Sequence, residues 1–471
     1  MSQPHRVIPL VPDRSATDGK IHARAVTGLH TRWRWAMVWI TQLVFYGLPW
    51  LTLDGHQAVL FDLEHERFHL FGAVLYPQDL IYLTGLLVIS ALLLFFATTV
   101  AGRVWCGFSC PQTVYTELFM WIEHRCEGDR RARQRLDQSP WNADKLLRRG
   151  GKHLAWGTLS LWTGFTLVGY FTPIHSLALA VPAATLGPWE GFWTLFYGLA
   201  TYGNAGFLRE KVCQHMCPYG RFQGSMLDRD TLIVAYDHLR GEPRGARARG
   251  SDAAARGLGA CVDCTLCVQV CPVGIDIRQG LQAACISCGV CIDACDPVMD
   301  KLGAPRGLIR WATQREMAGE PQARRSLRQQ LARPRVLIYG GLLGLVSLAL
   351  VVGLLQRPTL RLNAMRDRGV MARQVEDGRI ENVYRLQAMN ASATPRELQL
   401  QVRGPDGLAL ASDTRLQLAP AEARTVSVTV QLEAGPAQAL AGQIVPIRFE
   451  LQDLATGTDT ALADSTLVVP R

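Results

Sequence analysis

No cysteine and no histidine follow Arg357 in this chain of 471 residues, although the sequence holds 13 cysteines and 11 histidines. The last stretch therefore has no disulfide to pin it and lacks the usual soft ligands of a metal site. Nucleotide and nucleic-acid signatures are missing as well: there is no helix-turn-helix pattern, no P-loop and no Gly-x-Gly-x-x-Gly turn. No Cys-x-x-Cys-His run is present, which excludes covalently attached haem of that type. Charge is scarce, at 19% of residues against 48% hydrophobic, and the chain is too long for one domain and too apolar for an ordinary soluble electron carrier. Basic residues are almost absent from two segments, with Arg67 alone between 54 and 78 and none between 172 and 188.

What is present is cysteine in groups. The run Cys261-Val-Asp-Cys264-Thr-Leu-Cys267-Val-Gln-Val-Cys271-Pro272 has the C-x₂-C-x₂-C-x₃-C-P spacing that wraps a cubane iron–sulfur cluster, and Cys285, Cys288, Cys291 and Cys295 repeat it. In such pairs the fourth cysteine of each run ligates the other cluster. Cys261, Cys264, Cys267 and Cys295 are thus expected to hold one 4Fe-4S centre, and Cys271, Cys285, Cys288 and Cys291 the second. Structural zinc, which takes four ligands, does not account for two evenly spaced quartets. Thiols in such number stay reduced in a reducing compartment, which puts this stretch on the cytoplasmic side.

Five apolar runs, Trp35 to Leu53, Leu80 to Val100, Leu154 to Phe171, Trp189 to Leu208 and Val336 to Leu355, each approach the ~20 residues needed to cross a bilayer. Arginine clusters before the first run, in the 101–152 segment and in the 209–335 region, while the intervening loops are nearly bare. By the positive-inside rule the N-terminus and the clusters face the cytoplasm, and the C-terminal part faces the periplasm of a bacterial inner membrane. The first apolar run reads as a retained anchor rather than a cleaved signal. The net charge of +9 fits anionic lipid and requires no nucleic acid. Arg240 to Ala260 reads as a flexible connection, and Arg315 to Arg335 as a charged amphipathic helix.

Beyond Arg357 the pattern has period two. Val383–Met389, Leu398–Val402, Thr425–Leu432 and Ile444–Leu451 alternate apolar with polar between turn residues, which predicts an immunoglobulin-like β-sandwich acting as a docking module.

Two more cysteine pairs, Cys106-Gly-Phe-Ser-Cys110-Pro111 and Cys213-Gln-His-Met-Cys217-Pro218, share a C-x₃-C-P pattern past the ends of the second and fourth runs, implying two repeated helical hairpins. Four-residue spacing puts both sulfurs on one helix face, and the proline marks a break. Such thiols can grip a soft metal ion. Copper contact, a further iron–sulfur cluster and inert packing all remain open on spacing alone, with His215 and Met216 as additional candidate copper ligands. Cys126 reads as a bystander. His153 and His175 flank the third run, but no facing histidine supports axial haem ligation.

Ala205–Gln223, Cys295–Gly303, Pro305–Arg310 and Ile380–Tyr384 closely resemble the CcoG (FixG, RdxA) family, accessory proteins of cbb3-type cytochrome oxidase. The likeness runs from about Arg32 to the end. Gly220 and the long Gly/Ala/Arg-rich connection before Cys261 depart from the family pattern. The resemblance implies a membrane polyferredoxin with cupric reductase activity, in which Cys106, Cys110, Cys213 and Cys217 contact copper as the substrate. It further implies the oxidase assembly machinery, with a copper transporter or chaperone, as partner. The electron donor is left unspecified, and a homodimer is left open. A related alternative is a polyferredoxin conduit from quinol or a cytoplasmic donor to a redox partner, with no copper chemistry of its own; an assembly scaffold whose clusters sense redox state is a third.

The expected architecture is an α-helical integral membrane protein of five transmembrane helices with an inserted two-cluster ferredoxin module and a C-terminal sandwich. Its divisions are a tail at 1–33, a four-helix region at 34–208, a cytoplasmic region at 209–335 with the ferredoxin near 258–300, a fifth crossing at 336–356 and the sandwich at 357–471.

Overall fold

The computed structural model describes residues 21–470, apart from 54, 72, 248–253, 321–326, 367–371, 393, 421, 456 and 458–459. The chain forms two compact units. One comprises the chain up to Leu51 together with Tyr82–Leu350, and the other comprises Thr52–Ile81 together with the chain from Val351 onward.

The apolar runs fold as helices at Leu29–Gly47, Leu80–Ala101, Ala143–Val168, Pro188–Gly203 and Pro334–Leu355. Among the described residues only Leu80–Ala101 and Pro334–Leu355 are long and apolar enough to cross a bilayer, at mean hydropathies of 2.5 and 2.3. The expectation of five spans is therefore met by two on length and composition. The other three fall short for local reasons. Leu29–Gly47 carries Arg32 and Arg34 and gives way to a 3₁₀ turn containing Pro49. Ala143–Val168 opens with Asp144, Lys145, Arg148, Arg149 and Lys152. Pro188–Gly203 has 16 residues and then loosens into π-helical turns at Asn204–Leu208 and Val212–Met216.

Ala143–Val168 and Pro188–Gly203 cross where both are glycine: a Cβ at Gly164 would lie 2.9 Å from the Gly198 nitrogen, so the backbones meet directly. The charged helix expected over Arg315–Arg335 is broken instead. It consists of Gln314–Met317, a stop at Gly319 (φ 70°), and Leu327–Leu331, with 321–326 outside the described residues. The connection expected to be flexible at 240–260 falls in part on 248–253, also outside them. Its flanks are fastened, because Gly245 and Gly259 N–H groups donate to the carbonyls of Cys261 and Pro243.

The cysteine-rich module is closed by an antiparallel strand pair, Ile233–Tyr236 with Ile309–Ala312, in register at Val234 and Trp311. Between them lie the short helix Leu266–Gln269 and the longer Val290–Leu302. Val234, Val270, Ile275, Ile277, Ile286, Val290, Met299 and Ile309 form the core on which the cysteine loops rest.

The second unit is a two-sheet sandwich with antiparallel pairing throughout. Leu408–Leu410, Ala423–Leu432, Ile380–Asn390 and Leu360–Arg366 form one sheet, with Arg373–Gln374 added to the Ile380 end. Arg415–Leu418, Arg396–Arg403, Ile444–Asp453 and Thr460–Val468 form the other. All four predicted strands lie within these. With no disulfide, the sheets are joined by buried polar groups: Asn382 bonds Val468 in both directions at 3.0 and 3.2 Å, and the Tyr384 hydroxyl donates to the Thr466 carbonyl at 3.0 Å. The segment between the first two helices, read above only as a loop, folds as a three-stranded sheet (Val59–Asp62, Arg67–Leu70, Ala73–Leu75). Val74 and Tyr76 pack on Met389 of the sandwich, and Asp79 bridges Arg357 and Arg361 at 2.7 and 2.5 Å.

Candidate metal centres

The two cysteine quartets are built on the same local geometry. Asp263 and Thr265 in the first run have φ of 55° and 58°, and Ser287 and Gly289 at the matching places in the second have 53° and 74°. These left-handed residues curl each C-x₂-C-x₂-C loop so that backbone N–H groups turn inward, a concave nest suited to an anionic group. The Ser287 N–H points to the Cys285 sulfur at 3.5 Å.

The structure gathers Cys261, Cys264, Cys267 and Cys295 around one small cavity, with Tyr236, Arg278 and Met299 in its wall. Cys271, Cys285, Cys288 and Cys291 line a second, walled by Val273, Ile275, Ile277 and Val290, at whose edge Cys267 also appears. Burial pushes the Cys271 thiol up to about 12 and the Cys285 thiol up to about 11, so these sulfurs ionise only when metal takes the proton's place. Among the described residues no three thiol, imidazole or carboxylate groups converge on a single-ion site. Each quartet instead lines a cavity of its own. Softness, number, dry walls and inward N–H groups all fit two 4Fe-4S clusters.

The C-x₃-C-P pairs differ from an ordinary helix break. Cys110 and Cys217 are each the residue before a new helix, Pro111–Glu127 and Pro218–Met226, with the proline at the first helical position where its missing N–H costs nothing. The N–H groups of Gln112 and Thr113 turn back to the Cys110 sulfur. Cys106 sits in the short helix Val104–Phe108, and Cys213 in the π-helical turn. All four thiols are close enough that the charge of Cys110, Cys213 and Cys217 acts on Cys106. Burial first, then this mutual repulsion, pushes Cys106 up to about 12, and burial pushes Cys213 up to about 11. The Cys106 thiol donates to the Gln223 side-chain oxygen at 3.4 Å.

Several residues that build this arrangement were not singled out in the sequence. Gln112 donates to the carbonyls of Asn204 and Arg209 at 2.9 and 3.1 Å, fastening the first motif to the approach of the second. Arg209 has φ 41° and is held there by its guanidinium, which bonds Glu123 at 3.0 Å and the Gly206 carbonyl at 3.0 Å. Gly107 touches the second quartet: a Cβ there would lie 2.7 Å from the Ile286 oxygen and 3.1 Å from the Cys288 nitrogen. Gly220 has its reason in space, because a Cβ would lie 2.8 Å from the Cys213 carbonyl. A Gly at each motif was the available signal, but the partner of Gly107 lies about 180 residues away in sequence.

The remaining candidates are placed apart. His215 and Met216 are exposed, Met216 by 61%, and the four thiols assemble without them. His153 bonds Tyr202 at 2.9 Å and lies edge-on to Trp156, and His175 meets Trp50 edge-on. Cys126 is half-buried on the Pro111–Glu127 helix.

Comparison with known proteins agrees with this division. The family pattern described as a 4Fe-4S dicluster domain matches 208–314, and that of a 4Fe-4S binding domain matches 83–126. The pattern of the Ig-like fold at the C-terminus of FixG matches 350–470. The chain is 38% identical over 415 residues to the nitrogen fixation protein FixG of Rhizobium meliloti (strain 1021), covering 82% of this chain and 79% of that one. Protein RdxA of Cereibacter sphaeroides is 37% identical over 397 residues, covering 82% and 83%. Protein RdxB of the same organism is 37% identical over 448 residues, covering 93% and 94%. With two iron–sulfur regions, the sandwich and identity along most of its length, the chain belongs to the FixG/RdxA family of iron–sulfur electron-transfer proteins.

Proposed function

We propose that this chain is a membrane-embedded cupric reductase that converts Cu(II) to Cu(I) and supports copper-centre assembly of a cbb3-type cytochrome oxidase. The observation that carries the reading is the contact between the first thiol pair and the second quartet, backbone to backbone at Gly107. An electron held at the Cys271, Cys285, Cys288 and Cys291 site has a short protein path to Cys106. Bound 4Fe-4S clusters supply single electrons there, over potentials that span roughly −700 to +450 mV across proteins. Cys106, Cys110, Cys213 and Cys217 contact copper as pairs, release their protons on doing so, and favour the cuprous product because thiolates are soft. One electron passes and Cu(II) becomes Cu(I); apart from the S–H bonds given up on binding, no bond of the protein need break. The cuprous ion then leaves to a copper transporter or chaperone.

Five membrane crossings remain part of this proposal. All five helices present large apolar side chains outward. Trp39 and Leu43 are 62% and 67% exposed, Leu154 73%, Trp189 and Leu199 71% and 68%, and Leu87 and Leu345 64% and 65%. Such surfaces suit lipid better than water. The charged opening of Ala143–Val168 then lies at the cytoplasmic interface. The sandwich and the 52–81 segment fold as one unit, which requires both to lie on the same, periplasmic, side.

A second reading has an observation of its own. The 4Fe-4S binding pattern at 83–126 contains Cys106 and Cys110, so the four C-x₃-C-P thiols could hold a third cluster in an electron conduit to another redox protein. One experiment separates the two. Replacing Cys106, Cys110, Cys213 and Cys217 by serine should abolish Cu(II) reduction, read with a Cu(I) indicator, while iron and sulfide stay constant. Loss of about a third of the iron would favour the conduit, and full reduction by the variant would remove these thiols from the reaction.

A further inference from the structure

The first thiol motif, the second thiol motif and the loop before Cys285 converge on one residue, Arg103, the first on its backbone and the other two on its side chain. It is 9% exposed. Its Nη2 donates to the Gly220 carbonyl at 2.6 Å, and its Nη1 donates to the Ala283 carbonyl. Its own carbonyl accepts from the Gly107 N–H at 3.1 Å, the residue seated on the Cys288 loop. The field of the guanidinium reaches Cys106, Cys213 and Cys285.

No carboxylate pairs with Arg103 among the described residues; its hydrogen-bond acceptors there are the two carbonyl oxygens. A buried guanidinium without a counter-charge is costly. The groups left to neutralise it are the sulfurs around it. The other quartet differs in this respect. Arg278, beside Cys267, is bound to Asp276 at 2.7 Å and to Asp263, and Asp296 adds further negative charge near Cys295. Arg34, whose field reaches Cys271 and Cys288, is offset by Glu117 at 2.7 Å. Among these three arginines, Arg103 alone brings uncompensated positive charge to a quartet.

We infer that Arg103 sets the direction of electron flow by making the centre of Cys271, Cys285, Cys288 and Cys291 the higher-potential of the two and the exit toward the C-x₃-C-P thiols. Nearby positive charge stabilises a reduced cluster, and net charge is one of the means by which a protein sets cluster potential. The centre of Cys261, Cys264, Cys267 and Cys295, surrounded by paired arginine and acids, is then the entry. The inference rests on the assignment of the two quartets to two clusters.

The test is a redox titration of the full-length protein in detergent, followed by electron paramagnetic resonance, on wild type, Arg103→Gln and Arg103→Lys. Two centres of different potential are expected in wild type. Arg103→Gln should shift the higher potential downward and leave the lower one in place, and Arg103→Lys should restore most of the shift. Cu(I) added to wild type should likewise perturb only the higher-potential signal, a readout that survives if either variant loses iron. Equal movement of both centres, no movement, or a lysine variant that behaves like glutamine would overturn the inference. Fewer than two cubane signals in wild type would overturn the cluster assignment beneath it.

Discussion

The Asp293 carboxylate, which lies between Cys291 and Cys295 in sequence, closes the N-terminus of the first helix, accepting from the Thr31 N–H at 2.7 Å and the Thr31 hydroxyl at 2.9 Å. The His30 ring donates to the same carboxylate from Nδ1 at 2.9 Å, and its Nε2 accepts from the Trp311 indole at 3.2 Å, which fixes the tautomer. A helix N-terminus leaves N–H groups unbonded, and a carboxylate supplied by a distant part of the chain satisfies them. Asp293→Ala should therefore cost about 1–3 kcal/mol, read as a lower thermal midpoint. Asp293→Asn should fall between it and wild type. A midpoint unchanged in the alanine variant would mean that the first helix docks by other contacts.

Gly107→Ala tests the contact between thiol pair and cluster loop. The new methyl group meets the backbone of Ile286 and Cys288, which cannot rotate away, so the two segments must separate. Cu(II) reduction should fall by about tenfold or more, the scale on which misplacement of reacting groups acts, with iron content near wild type. Gly151→Ala, where a Cβ meets nothing within 4 Å, is the control.

Crossed ligation predicts different losses from two single substitutions. Cys295→Ser should remove the centre that contains Cys261, Cys264 and Cys267, and Cys271→Ser should remove the one that contains Cys285, Cys288 and Cys291. Spectra in which the two variants exchange these losses would show that each run holds its own cluster.

Asp237 carries a pH dependence. Burial pushes its carboxyl up, but Arg310 at 2.8 Å and the Arg240 N–H outweigh burial and hold it below the usual carboxylate range. A group depressed in the folded state stabilises the fold above its unfolded pKa, and that stability is lost as pH falls through the folded value. The denaturation midpoint of Asp237→Asn should thus fall furthest below wild type at neutral pH, and the gap should close in acid. A gap that widens in acid would reverse the sign assigned to the Asp237–Arg310 pair.

Topology has a direct test. Reporters active only in the periplasm should work when inserted at Glu64 and after Arg471, and fail at Gly250. Different results at Glu64 and Arg471 would contradict the common unit formed by Thr52–Ile81 and the sandwich.

The strands of the sandwich were legible because period two over Val383–Met389 or Ile444–Leu451 is a local signal that tertiary packing reinforces. Tyr384 and Phe449 are fully buried where the alternation puts them. The fold of residues 52–81 was not legible. Val59–Asp62 and Ala73–Leu75 are short, and they are stabilised by Met389, Arg357 and Arg361 about 280 residues or more downstream. Of the five membrane helices read from apolar runs, two are long and apolar enough on length and composition, and the others fall short for a local reason. Apolar run length was visible, but the charged opening of Ala143–Val168 and the π-helical end of Pro188–Gly203 shorten the apolar cylinder.

The sequence by itself determined the chemistry of this protein: cysteine spacing within each quartet and each C-x₃-C-P pair is a property of a few adjacent residues, so ligand type and number are written locally. Tertiary structure alone decided how the C-x₃-C-P thiols meet one another and the second quartet. The contact of Gly107 with Cys288, the bonds of Arg103 to Gly220 and Ala283, and the hold of Gln112 on Arg209 each join residues about a hundred or more positions apart. No spacing rule reaches that far, because such meetings are set by how helices and loops pack rather than by the order of the chain.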